Sequence, residues 1–146
     1  MTSPGLLTWL TGTAVQAARA GDRELVGEMV GRIAASSDVL DLSAAARVFA
    51  DLARRALHTL YGPLTTGERW VIDDLGSAAE IPHHVWALRL VTAYANGDDG
   101  LVLALVAAVA KASVDSRSQS LRSLLGYAAE LEREAAQQNN HTEGTP

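Results

Sequence analysis

The residues that could do chemistry are few. His83 and His84 stand side by side ahead of Val85-Trp86. Imidazoles are common zinc ligands, but neighbours on a helix start point in different directions. No HExxH spacing and no carboxylate at ligand distance completes a set. Two acidic doublets, Asp73-Asp74 and Asp98-Asp99, offer paired carboxylates. Such pairs move protons or hold a hard cation. Neither doublet has the alternating spacing of a calcium loop; helix capping accounts for Asp98 and solvation for the rest. His58 reads as an exposed helix position, and His141 lies in the polar C-terminal stretch. The absence of cysteine removes thiolate catalysis, disulfides and Cys-ligated zinc. No Ser/His/Asp set has a spacing that supports a triad, and no glycine-rich phosphate loop follows a strand. The expectation is a non-enzymatic protein with no catalytic residue, no metal and no cofactor.

Two further patterns concern recognition. Gly27-x-x-x-Gly31 lets a second backbone approach closely, in tight internal packing or in a homodimer. The stretch from Asp74-Leu75-Gly76 to Val85-Trp86-Ala87-Leu88 has some of the outline of a helix-turn-helix. Its turn carries Glu80 where glycine is expected, and its second helix offers only His83, His84 and Arg89 to DNA. The net charge of −5 also disfavours nucleic acid, because affinity there comes largely from neutralised phosphates. The same charge disfavours a membrane-surface helix, whose polar face is normally basic.

The elements that would position these residues are all helical. The hydrophobic fraction is 48%, mostly Ala, Leu and Val, while aromatics make up 5%. Small apolar side chains suit close-packed helices better than a sheet core. Ser3-Pro4 opens a first helix to about Ala20. Gly21-Asp22 ends it and caps a second, about Arg23 to Ser36, with Leu25, Val26, Met29, Val30, Ile33 and Ala34 on one face. Ser43 is expected to cap a third helix, Ala44 to Tyr61, which Gly62-Pro63 stops. Thr65-x-x-Glu68 is a capping box for a fourth, Gly67 to about Ala79. A fifth follows from Pro82 to Ala95. From Leu101 to Ala110 every residue is apolar. A helix apolar all round is buried all round or lies in a membrane, and this run is too short to cross one. It is therefore expected to be the central helix. After a loop over 113–117, a capping box at Ser116-x-x-Gln119 opens the last helix, which runs to about Ala136. Residues 137–146 read as a loose polar tail.

An internal repeat is visible at a constant offset of 76. Ala17–Ser37 aligns without gaps on Ala93–Ser113, pairing Gly21 with Gly97, Asp22 with Asp98, Leu25 with Leu101 and Val30 with Val106. The expected architecture is an all-α bundle of about six or seven helices in a single domain over 1–136. It divides into half one (5–61), a joining helix (62–81) and half two (82–136). Gly27, Glu28, Gly31 and Arg32 give the first copy's middle helix a polar back, where the second copy has Leu103, Ala104, Ala107 and Ala108.

The function expected is a small cytoplasmic adaptor or regulator that binds another protein or itself, with Gly27, Glu28, Gly31 and Arg32 as the surface. The N-terminus has no basic region ahead of its short apolar part, so it does not read as a signal peptide. Eleven arginines against the single Lys111 are the composition of a GC-rich bacterial genome. The alternative is a small-molecule binder with an apolar pocket between the halves, lined by Trp9, Trp70 or Trp86. The third reading is a DNA-binding regulator.

Overall fold

The computed structural model describes residues 3–36, 38–63, 67–71 and 82–143, with the side chains beyond 138 left aside. Among these residues there are six helices and no strand: α1 (Pro4–Ala20), α2 (Arg23–Ala34), α3 (Val39–Tyr61), α4 (Pro82–Ala95), α5 (Asp99–Ala110) and α6 (Val114–Glu143). Among the described residues no helix is long and apolar enough to cross a membrane.

Local chemistry sets most of the boundaries. The Ser3 hydroxyl accepts from Leu6 N at 3.2 Å, and Pro4 fills the first helical position. Gly21 (φ 74°) and Gly97 (φ 73°) take the left-handed conformation that closes α1 and α4. The residues after them, Asp22 (φ −85°, ψ 85°) and Asp98 (φ −87°, ψ 77°), cap α2 and α5 in almost the same geometry. Each carboxylate accepts the third amide of its helix at 3.1 Å, Leu25 N and Leu101 N respectively. Both helices are 12 residues long, and their ends differ by the same 76 positions.

Several elements differ from the sequence expectation. α3 starts at Val39, because Asp38 supplies the cap five residues before Ser43 can; its carboxylate accepts from Leu40 N at 2.8 Å and Asp41 N at 3.4 Å. Ser43 is a buried helical residue. Gly67 to Val71 are not helical, so the expected joining helix does not begin where its capping box stands. This strand of chain is docked instead by Asn96, whose side chain accepts from Trp70 N at 2.6 Å and donates to Trp70 O at 2.9 Å. The rest of that expected helix, and Asp73-Asp74 with it, lies outside the described residues. α6 starts at Val114, with the Ser113 hydroxyl accepting from Ser116 N at 3.2 Å. It runs past Ala136 to Glu143, since no Gly or Pro breaks the chain between them and the stop signals Gly144 and Pro146 come only later in the sequence.

The largest correction concerns α5. It is not central. Only Val102, Val106 and Val109 are buried along it, and Leu101 and Leu103 are 45% and 47% exposed. The axis of the molecule is the pair of longest helices, α3 and α6, which share the most extensive contact. Phe49, Ala45 and Ala53 of α3 face Leu121, Leu124, Leu125 and Ala128 of α6 in one core that draws on all six helices. α2 lies mainly on α6 and α5 mainly on α3; α1 touches both long helices almost equally, and α4 packs on α3. α4 also packs on α6.

Arg117 fastens this arrangement. The sequence reading placed it in a loop, yet it sits in the first turn of α6 at 6% exposure. Its Nε donates to Ala34 O at 2.8 Å, and its Nη1 to Ala112 O at 2.6 Å and Ala110 O at 3.4 Å. One guanidinium therefore satisfies the carbonyl ends of both α2 and α5, where the helix dipoles are negative.

Candidate functional site

Two surface features stand out once the helices are in place: a groove between the halves and the outer face of α5.

The groove lies among α1, α2, α4 and α6 and encloses about 630 Å³. Its floor is apolar and buried, made by Ala18, Ala87, Leu88, Leu125 and Ala129. Its rim is charged: Arg23 from α2, and Arg122, Arg133 and Glu130 from α6, with His84 and Tyr127 between them. Arg133 is anchored, its Nη2 donating to Ala18 O at 3.1 Å. Arg23 and Arg122 make no ion pair or hydrogen bond with another described residue. Arg122 lies across α2 at Gly27, where a Cβ would meet its Nη1 at 3.3 Å. Tyr127 is half-buried; burial, then the negative groups near it, push its phenol above the usual range, so it stays a neutral donor. Gly126 faces the groove with nothing within 4 Å of where its Cβ would be.

On the outer side of α5, Gly100, Leu103, Ala104, Ala107 and Ala108 are exposed or half-covered, with Leu101 along one edge. No polar side chain interrupts the helix between Gly100 and Ala110. Asp99 stands at its N-terminal end, paired with Arg47 of α3 at 3.2 Å, and Lys111 stands at its C-terminal end without an ion-pair partner among the described residues.

The expected interaction surface on α2 has a different character. Glu28 and Arg32 form an i,i+4 ion pair at 3.3 Å, both more than half exposed, and such pairs contribute little. Gly31 is open to solvent, and the space over Gly27 is taken by a guanidinium rather than a backbone. The structure does not bring the three tryptophans together. Trp9 is 53% exposed on α1. Trp86 donates its indole N–H to Leu105 O at 2.9 Å, pinning α4 to α5. Trp70 packs near the rings of Tyr61 and His58 and lines a second groove of about 640 Å³ against α4 and α5. The groove between the halves contains none of them.

The histidine pair is a ring contact, centroids 4.8 Å apart. Burial, and then the neighbouring imidazole, lower the His83 pKa, which favours its neutral form. Among the described residues no three His, Asp or Glu side chains gather to hold a metal ion. Most of the expected turn of the helix-turn-helix outline lies outside the described residues; Arg89 is exposed on the wall of the second groove. Sequence reasoning missed the groove arginines, because they come from separate segments. One signal was present for Arg122: no acidic residue stands three or four positions from it on α6.

Comparison of the chain with protein-family models, with curated proteins and with solved structures gives no match.

Proposed function

We propose that this chain is a non-enzymatic interaction module, a small cytoplasmic regulator that pairs with a second copy of itself through the outer face of α5. One observation carries the reading: a helix without a polar side chain over Gly100–Ala110 buries only three valines in the single chain. Sequences of this kind are found where both sides are covered. Exposed contiguous apolar surface of this sort marks interaction sites.

A second copy is the occupant that fits the charges. Two α5 helices packed antiparallel about a two-fold set Ala104 against Ala107 and Leu103 against Ala108. They also bring Asp99 of each copy beside the second copy's Lys111. A parallel pairing would set like charges together at both ends. The seam itself contains no charge, so the net −5 of each copy stays away from it. A 12-residue helix is about 18 Å long. That is short of what a standard interface of ~800 Å² per partner needs. The dimer is therefore expected to be weak and concentration-dependent.

Sedimentation velocity over a wide concentration range tests this. The expected result is a monomer–dimer equilibrium in the micromolar range, abolished by Ala104→Glu or Leu103→Glu with helicity unchanged. Lys111→Glu weakens it, and adding Asp99→Lys restores it. A monomer at every concentration, or a dimer indifferent to Ala104→Glu, overturns the reading.

The same reading takes α1–α3 and α4–α6 as duplicated halves. It is supported by the constant offset of 76 and by the matching Gly-Asp turns and cap geometry of α2 and α5. The copies then differ where it matters: the exposed face that is polar on α2 is apolar on α5.

A further inference from the structure

We propose that the groove between α1, α2, α4 and α6 binds a small organic anion, a carboxylate or phosphate carried on an apolar body. This is independent of the pairing through α5, which lies elsewhere on the molecule.

The groove has the size and the composition of a ligand site. Its 630 Å³ falls within the range of roughly 300–1,000 Å³ usual for small-molecule pockets. The apolar floor of Ala18, Leu88, Leu125 and Ala129 suits a hydrocarbon or aryl body. Three guanidiniums, Arg23, Arg122 and Arg133, line it with one carboxylate, Glu130. The whole chain carries −5, so this local excess of positive charge runs against the composition. Most other arginines of the molecule are already engaged: Arg19 with Glu132, Arg47 with Asp99, and Arg54 and Arg55 with Asp51. Arg23 and Arg122 have no described partner and stand beside this groove; Arg69 and Arg89, also without one, line the second groove with Asp98 between α4 and α5. Guanidinium matches the oxygens of carboxylate and phosphate in a bidentate fork, which gives the ligand's charged end its place.

Two glycines shape the site. A Cβ at Gly27 would come within 3.3 Å of Arg122 Nη1, so the bare glycine gives that guanidinium its place over α2. Gly126 lies in the interior of α6, where glycine weakens a helix relative to alanine. No neighbour forbids a side chain there, since nothing lies within 4 Å of its Cβ position. What its absence leaves is room in the groove.

The test is calorimetry and amide NMR on the whole chain with four probes of one length: octanoate, octyl phosphate, octanol and octylamine. Octanoate or octyl phosphate is expected to bind and to shift the amides of Gly27, Gly126 and Tyr127, while octanol and octylamine do not. The tighter of the two anions assigns carboxylate or phosphate as the head group. Arg23→Gln with Arg122→Gln is expected to weaken anion binding by about tenfold or more. Gly126→Leu is expected to abolish it while raising helix stability, so loss of binding cannot be loss of fold. Ala104→Glu on α5 leaves it unchanged. Equal binding of octanol, or anion binding that survives the arginine pair or Gly126→Leu, overturns the proposal.

Discussion

Asp51 shows how much of this fold hangs on single polar side chains. Its Oδ1 accepts from Arg54 Nε at 3.1 Å, from Arg54 Nη2 at 3.0 Å and from the Tyr94 hydroxyl at 3.0 Å; its Oδ2 meets Arg55 Nε at 2.9 Å. Burial alone would raise its pKa. The hydrogen bonds from Arg54 and Tyr94 and the charge of Arg55 outweigh burial and hold it below the usual carboxylate value. The contribution is therefore present above the unfolded-state pKa of about 3.9. It fades as pH falls through the lower folded value. Asp51→Asn is expected to lower the urea midpoint at neutral pH, with the difference from the parent shrinking below about pH 4. A gap that stays constant down to the acid limb would remove Asp51 from this role. The Tyr94 hydroxyl is the only link in the set that crosses from α3 to α4, so Tyr94→Phe should reproduce part of the loss.

At the scale of the helix, the two Gly-Asp turns invite a matched experiment. Asp22 and Asp98 make the same hydrogen bond at the same distance, and Gly21 and Gly97 share the left-handed region. Asp22→Ala and Asp98→Ala are each expected to cost about 1 kcal/mol. Gly21→Ala and Gly97→Ala should each cost on the order of 1–2 kcal/mol, because alanine at positive φ is strained. Chemical denaturation of the four variants checks both the size and the equality. These turns were legible in the sequence because capping is local: the residues that define it lie within four positions of one another. The ends of α3 and α6 were less so. Asp38 and Ser113 took the caps that Ser43 and Ser116 were expected to hold, and each choice depended on a competitor a few residues upstream. The depth of α5 was not legible at all. Ala, Leu and Val on every side describe what a helix tolerates, while burial depends on which helices reach it. The two longest, α3 and α6, took the centre.

At the scale of the molecule, one buried side chain ties the ends of α2 and α5 to the start of α6. Arg117 is 83 residues from Ala34, and no spacing rule reaches that far. The same distance hid the groove, whose walls come from four helices. Arg117→Met keeps the apolar stem but orphans the carbonyls of Ala34, Ala110 and Ala112. It is expected to cost about 3 kcal/mol. That corresponds to roughly 10 °C in melting temperature for a chain of this size. Because the guanidinium holds α2 and α5 together, the parent should unfold in one calorimetric transition, and two resolved transitions would contradict the coupling.

The packing of α2 on α6, and of α5 on α3, also has a meaning for biosynthesis. α6 emerges from the ribosome after the other five helices, yet it carries the leucines that complete the shared core with α3 and that α1 and α2 lie against. Until it arrives, α1–α3 hold Phe49, Ile33 and Leu42 with one wall missing. The apolar faces of α1–α3 therefore stay partly uncovered while the later helices are being translated. The order of synthesis, rather than the strength of any contact, sets how long that exposure lasts.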